Sequence, residues 1–180
     1  MLYAETLKLV SRLPQRQPAA SLPSRLDELF DKLLDCPSPA TAAPIEDAIW
    51  NVWMYDSHEG AELALERACS DIAARRFDIA ETRLAILVRR RPDWAEAWNK
   101  QATLYYLTDR DDESVAAIRR TLEIEPRHFG AMCGLGEILR CQGELEAARL
   151  AFGMALRVYP LLGSVQQTML DMQQSSGPRH

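Results

Sequence analysis

Residues 129–162 read FGAMCGLGEILRCQGELEAARLAFGMALRVYPLL. Within them Leu145, Ala148, Phe152, Ala155, Leu156 and Tyr159 recur at intervals of three and four, which sets one apolar stripe along a helix. Gly143 breaks the pattern before this run and Pro160 closes it, so the block predicts two antiparallel helices joined by a short turn. No alternating apolar and polar run of useful length competes with this reading, and the fold class it predicts is all-α.

The block repeats. Pro92, Pro126 and Pro160 are spaced 34 and 34 residues apart, and the chain divides without a gap into blocks 61–94, 95–128 and 129–162. Twenty places into the blocks stand Ala80, Ser114 and Ala148, all small, where two helices must approach closely. Four places later come Leu84, Ile118 and Phe152, all large and apolar. The eighth place holds Ala68, Ala102 and Gly136, and Asp78, Asp112 and Glu146 fall where a carboxylate suits the start of each second helix. A single hairpin cannot bury its stripe alone, so stability must come from stacking, with closing helices at the ends.

These residues resemble the tetratricopeptide repeat, a 34-residue helix-turn-helix unit. The middle block supplies Trp98, Ala102, Tyr105 and Pro126; the last supplies Leu135, Gly136, Ala148, Phe152, Ala155 and Pro160. The first block departs from the pattern at Ala64, Arg67 and Asp71 but keeps Ala68, Ala80 and Pro92. The resemblance implies a right-handed α-solenoid of three tandem hairpins, here with an N-terminal helical hairpin and a C-terminal capping helix.

The flanks are read on their own residues. Residues 1–23 form a basic segment, expected to be flexible, in which Pro14, Pro18 and Pro23 discourage continuous helix. Residues 24–60 are expected to form the N-terminal hairpin. Its first helix carries Leu26, Leu29, Phe30, Leu33 and Leu34, with Ser24 offered as N-cap. A loop over 36–43 follows, and Pro44 is expected to open a second helix bearing Ile45, Ile49, Trp50 and Trp53. Residues 163–174 are expected to be the C-terminal capping helix, with Val165, Met169 and Met172 at helical spacing, and 175–180 a tail.

Composition narrows the work such a fold can do. The 180 residues carry 21 basic and 26 acidic side chains, a net charge of −5, the opposite of what phosphate neutralisation needs, so nucleic acid is not an expected partner. No apolar run reaches membrane-spanning length, so no membrane insertion is expected. Cys36, Cys69, Cys133 and Cys141 form neither a disulfide framework nor a zinc motif, which fits a reducing, cytoplasmic setting. Lys8, Arg12, Arg16 and Arg25 against Glu5 alone leave open a targeting segment and an organelle matrix or stroma.

The resemblance implies where a partner would bind. In the family the second, fifth, ninth and twelfth places of each first helix line a concave groove that holds a peptide or a partner's helix. Here those places are Glu62, Leu65, Cys69 and Ile72; Glu96, Asn99, Thr103 and Tyr106; and Gly130, Cys133, Glu137 and Arg140. Asn99 can hydrogen-bond a backbone, Tyr106 offers an amphipathic contact, and Leu65 with Ile72 can receive an apolar side chain. The same residues can instead cover a solvated curve or pack on the N-terminal hairpin. The Lys and Asn clamp by which cochaperones of the family hold acidic chaperone tails is largely missing: Leu65, Cys69, Lys100, Gly130 and Gly134 stand at its places.

Other clusters point to structure rather than chemistry. Arg89, Arg90 and Arg91 end a helix before Pro92, where cations suit the dipole. The 34-residue period also argues against the related 35-residue RNA-reading repeat. His58, His128 and His180 have no nucleophile or acid at triad spacing. Trp50, Trp53 and Trp98 read as packing residues, and Trp94 as an exposed candidate anchor. The expectation is a non-catalytic adaptor or scaffold for another protein, without cofactor or metal. The alternative is a permanent subunit or assembly factor that uses its convex face and terminal helices.

Overall fold

The computed structural model describes residues 2–56, 58 and 60–175, and within them the chain is helical with no strand. Three hairpins follow one another: α4 (Ala61–Ala73) with α5 (Phe77–Arg90), α6 (Ala95–Leu107) with α7 (Asp111–Ile124), and α8 (Phe129–Cys141) with α9 (Leu145–Val158). They stack as an α-solenoid. Before them lie α1 (Leu2–Arg12) with a 3-10 turn at Leu13–Gln15, α2 (Arg25–Leu34) and α3 (Pro39–Met54); after them comes α10 (Gly163–Ser175). The expected tail beyond Ser175, and part of the expected separator between Ser57 and Gly60, lie outside the described residues.

The period visible in the sequence is a period in backbone conformation. Each hairpin turns at a left-handed residue, Arg75 (φ 57°), Asp109 (φ 57°) and Gly143 (φ 80°), again 34 apart. Only the third turn uses the residue that adopts this conformation without strain, and the other two carry a cost of about 1 kcal/mol each. Burial of one large side chain contributes about 1.5–3 kcal/mol, so packing outweighs that strain. Each second helix ends two residues before its proline. Arg91, Glu125 and Tyr159 cap the helices with φ between −119° and −133°, outside the helical region that a following proline disfavours.

The small columns are contact points. Ala80, Ser114 and Ala148 are fully or almost fully buried, and Ser114 Oγ donates to the Ala102 carbonyl at 2.8 Å. Leu84, Ile118 and Phe152 fill the interior. The Phe152 ring lies so close to Gly136 that a Cβ there would stand 2.5 Å from it.

The N-terminal segment departs from expectation. Instead of a flexible stretch, Leu2–Arg12 forms α1, and Thr6, Val10 and Leu13 are buried where it packs on α7 and α9. Arg119 reaches Glu5 at 3.1 Å, Gln142 Nε2 donates to the Tyr3 hydroxyl at 2.9 Å, and Ala19 N–H donates to the Ile124 carbonyl at 2.8 Å. The three prolines end the helix; they do not prevent it, because the apolar residues precede them.

The N-terminal hairpin also differs in detail. Ser24 is itself helical and makes no side-chain cap. The second helix opens at Pro39 rather than Pro44, because Ser38 and Thr41 form a reciprocal capping box that starts it earlier. Pro44 therefore sits inside α3, within its first two turns. Arg127 fastens this hairpin to the stack: its guanidinium lies over Phe30 at 4.5 Å and reaches Asp27 at 2.6 Å and the buried Glu125 at 2.9 Å.

Two glycine substitutions test this packing. Gly136→Ala must displace the Phe152 ring and should lower stability by about 1–3 kcal/mol. Gly153→Ala, inside α9 with nothing within 4 Å of the new Cβ, should raise it by about 0.5–1 kcal/mol. Urea unfolding followed by far-UV circular dichroism reads both, and equal midpoints for the two variants would contradict the close approach.

Candidate functional site

The first helices α4, α6 and α8 lie side by side and present one continuous face. Its N-terminal half is already covered by α3 of the same chain. Trp50 and Trp53, three residues apart, both point at the start of α8. Trp53 stacks flat on the His128 ring with centroids 4.0 Å apart, and Trp50 meets Phe129 edge-on at 5.4 Å. Gly130 makes this possible: a Cβ there would stand 2.7 Å from the Trp50 ring. Lys100 of α6 lies over the same indole at 5.3 Å, and Glu46 accepts a hydrogen bond from the Tyr159 hydroxyl at 2.9 Å.

Beneath the two tryptophans lies a buried polar pair. Glu96 and His128 are both wholly inaccessible, with His128 Nε2 2.9 Å from Glu96 Oε2. His128 Nδ1 accepts from the Ala131 N–H at 3.1 Å, so Nε2 carries the hydrogen and donates to the carboxylate. Lys100 Nζ lies 2.7 Å from the other Glu96 oxygen, and Asn99 donates to the carboxylate at 3.1 Å. Burial pushes the Glu96 pKa up, but the His128 hydrogen bond and the Lys100 charge outweigh it, and the carboxyl is held below its ordinary value of 4.5. The second place of α6 and the residue capping α8 become neighbours because adjacent hairpins are stacked in register. No acid stands near His128 along its own segment; Glu96 lies 32 residues earlier, two short of the repeat period, so the period alone does not pair them.

The expected groove residues therefore divide in two. Leu65, Glu96 and Asn99 are buried and offer nothing to a ligand, contrary to expectation: Leu65 joins the core of the first hairpin, and the other two serve the polar pair. Glu62 accepts from the Asp56 backbone N–H at 3.3 Å, and Cys133 is largely covered. Burial, with Glu137 and Glu46 nearby, pushes the Cys133 thiol up to about 12. Of the ninth and twelfth places Thr103, Tyr106 and Arg140 are exposed, Glu137 is half-buried, and Cys69 and Ile72 are half-buried against the core of the first hairpin. Arg140 holds Glu137 at 2.8 Å, and Tyr106 stands 39% exposed beside them. Trp94 is not an exposed anchor; it is buried, and its indole N–H donates to the Trp53 carbonyl at 2.8 Å.

Comparison with known proteins agrees with the helical-repeat fold. A family model described as tetratricopeptide repeat matches residues 65–127 and 112–161, together more than half of the chain. A tetratricopeptide repeat-containing protein of Rhizobium etli is 32% identical over 153 residues, which cover 85% of this chain and 75% of that protein. The chain belongs to the tetratricopeptide repeat family.

Repeats of this family generally mediate protein–protein interaction and are generally non-catalytic. In this tetratricopeptide array α3 packs on α6 and the start of α8, against Lys100, His128, Phe129 and Gly130 of the face formed by the first helices. Among the described residues no helix is long and apolar enough to cross a membrane.

The polar pair gives a pH signature. A carboxyl whose folded pKa is depressed contributes stability that is present above its unfolded value, and that contribution is lost as pH falls through the folded pKa. Glu96→Gln should cost about 1–3 kcal/mol at pH 7 by leaving Lys100 without its counter-charge. The difference from the unsubstituted protein should shrink as pH drops below 4.5. Urea midpoints at several pH values measure it; a difference constant down to the acid limit would contradict the assigned shift.

Proposed function

We propose that this chain is a non-catalytic adaptor that holds a peptide or helix of a partner protein along the open strip of its concave face, beside α3. One observation supports the reading: the face already accommodates a helix. The seat of α3 supports a spacing of the first helices that suits one, with Gly130 admitting a bulky aromatic ring and Lys100 lying over it. The strip next to that seat offers Tyr106 and the accessible part of Ile72 for apolar contact, and Thr103, Glu137 and Arg140 for polar contact. Such a mixed lining suits an extended or helical segment with alternating character better than a uniformly charged tail.

The alternative, a permanent subunit or assembly factor that uses its convex face and terminal helices, would have to bind through α1 where that helix covers α7 and α9.

The test is capture of partners from the native cell on the full chain, compared with Tyr106→Ala combined with Arg140→Glu. Tyr and Arg at the centre of an interface dominate its energetics, so recovery of the partner should fall about tenfold with circular dichroism unchanged. Equal recovery on the variant would refute binding in the strip.

A further inference from the structure

The first hairpin presents a face that the other two keep covered. Leu63 stands where the second and third hairpins have Ala97 and Ala131, Arg67 where they have Gln101 and Leu135, and Ser70 where they have Leu104 and Ile138. All six of those residues are buried, between 0 and 5% exposed, because the preceding hairpin lies against its successor. Leu63 is 48% exposed, and Arg67 and Ser70 are exposed as well. The chain's own N-terminal helices are occupied elsewhere: α1 on α7 and α9, α3 on α6 and the start of α8.

The uncovered face is not the fully polar surface that closes a repeat array against solvent. Along α5, Ile79, Arg83, Ile86 and Arg90 form one stripe at intervals of four, three and four, with the two isoleucines 46% and 44% exposed. Ile86, Arg83 and Arg90 line a cleft of about 510 Å³ against Ala61 and Ala64 of α4. Branched aliphatic side chains thus alternate with guanidinium groups on both helices.

The charge on this face decides the partner. Asp71, the carboxylate at its centre, is consumed by Arg76 at 2.7 Å and Arg83 at 2.8 Å. Arg67 and Arg90 have no ion pair among the described residues, and Glu66 lies exposed on the flank. A surface with spare positive charge and apolar ridges, on a chain of net charge −5, selects a ligand that is acidic and amphipathic. The same face of a second copy would oppose arginine to arginine. We infer that the free face of the first hairpin docks an acidic amphipathic helix of a partner protein, seated where a preceding hairpin would otherwise stack.

This inference stands apart from the groove, and its test keeps them apart. The probe is a fluorescein-labelled two-heptad peptide with a Leu/Ile stripe flanked by Glu, paired with a control in which Lys replaces each Glu. Fluorescence anisotropy with the full chain should show binding of the acidic peptide and not of the basic one. Arg67→Glu combined with Arg90→Glu should weaken that binding about tenfold or more, whereas Tyr106→Ala should leave it unchanged. Neither arginine holds a structural ion pair among the described residues, so circular dichroism should show both variants folded. Equal binding of the two peptides, indifference to the double reversal, or loss through Tyr106→Ala would overturn the inference. So would a dimer in sedimentation velocity that Leu63→Glu dissociates, since a second copy would then be the occupant.

Discussion

The structure depends on how closely two helices of one hairpin can approach. At Ala80, Ser114 and Ala148, and again at Ala68, Ala102 and Gly136, a small residue lets the facing helix press in; the bulk that fills the remaining space comes from Leu84, Ile118 and Phe152. Interiors are packed like crystals, so size at one column fixes size at the next. The third hairpin shows the coupling in its extreme form. Phe152 is the largest residue of its column, and Gly136, opposite it, is the smallest of its own. Once a hairpin closes in this way its outer faces are still apolar, and only another layer can cover them. Everything else in the fold answers the question of what that layer is.

Three answers are present. Between hairpins the layer is the next repeat. On the outer surface of α7 and α9 it is α1, pinned by Val10 and Leu13 and by Arg119 to Glu5. On the concave side it is α3, and here the chemistry is more demanding, because Glu96 and His128 are sealed beneath two tryptophans. Burial of a carboxylate is tolerated only when its charge is compensated: His128 and Asn99 hydrogen-bond one oxygen of Glu96, and the Lys100 ammonium lies beside the other. The arrangement makes α3 specific to this seat: sliding it by one residue would take Trp53 off the imidazole and bring Trp50 out of the notch at Gly130.

The sequence carried the repeats openly, since a 34-residue recurrence in size, charge and proline position is a one-dimensional signal of a one-dimensional stack. The all-helical class, the resemblance to the tetratricopeptide family and the small columns were readable for that reason. What was not readable concerns residues that meet across distances unrelated to local periodicity. The 32-residue offset between Glu96 and His128 becomes contact only once adjacent first helices are known to be in register. The burial of Trp94 depends on the Trp53 carbonyl, and that of Asn99 on a carboxylate three residues before it. Pro44 was given its frequent place at a helix start, yet the Ser38–Thr41 box nucleates α3 earlier. Prolines after Leu13 speak locally against helix, whereas docking of the apolar stripe before them on α7 and α9 decides the order of that segment.

The placement of the N-terminal helices also explains why the first hairpin is the least regular of the three. An inner hairpin must satisfy neighbours on both sides, which constrains its first helix to residues such as Ala97, Gln101 and Leu104 that fit beneath a preceding helix. The first hairpin is released from that constraint on one side, and its departures fall there: Leu63, Arg67 and Ser70 differ, while Ala68 and Ala80, which face its own partner helix, do not. If the release had meant only exposure to water, charged side chains alone would satisfy it. The face instead keeps isoleucine and leucine beside its arginines, and exposing branched aliphatics to solvent brings no gain in stability that polar residues would not also bring. On that side the irregularity is mixed in character, the pattern of a surface fitted to contact something other than another repeat of its own kind.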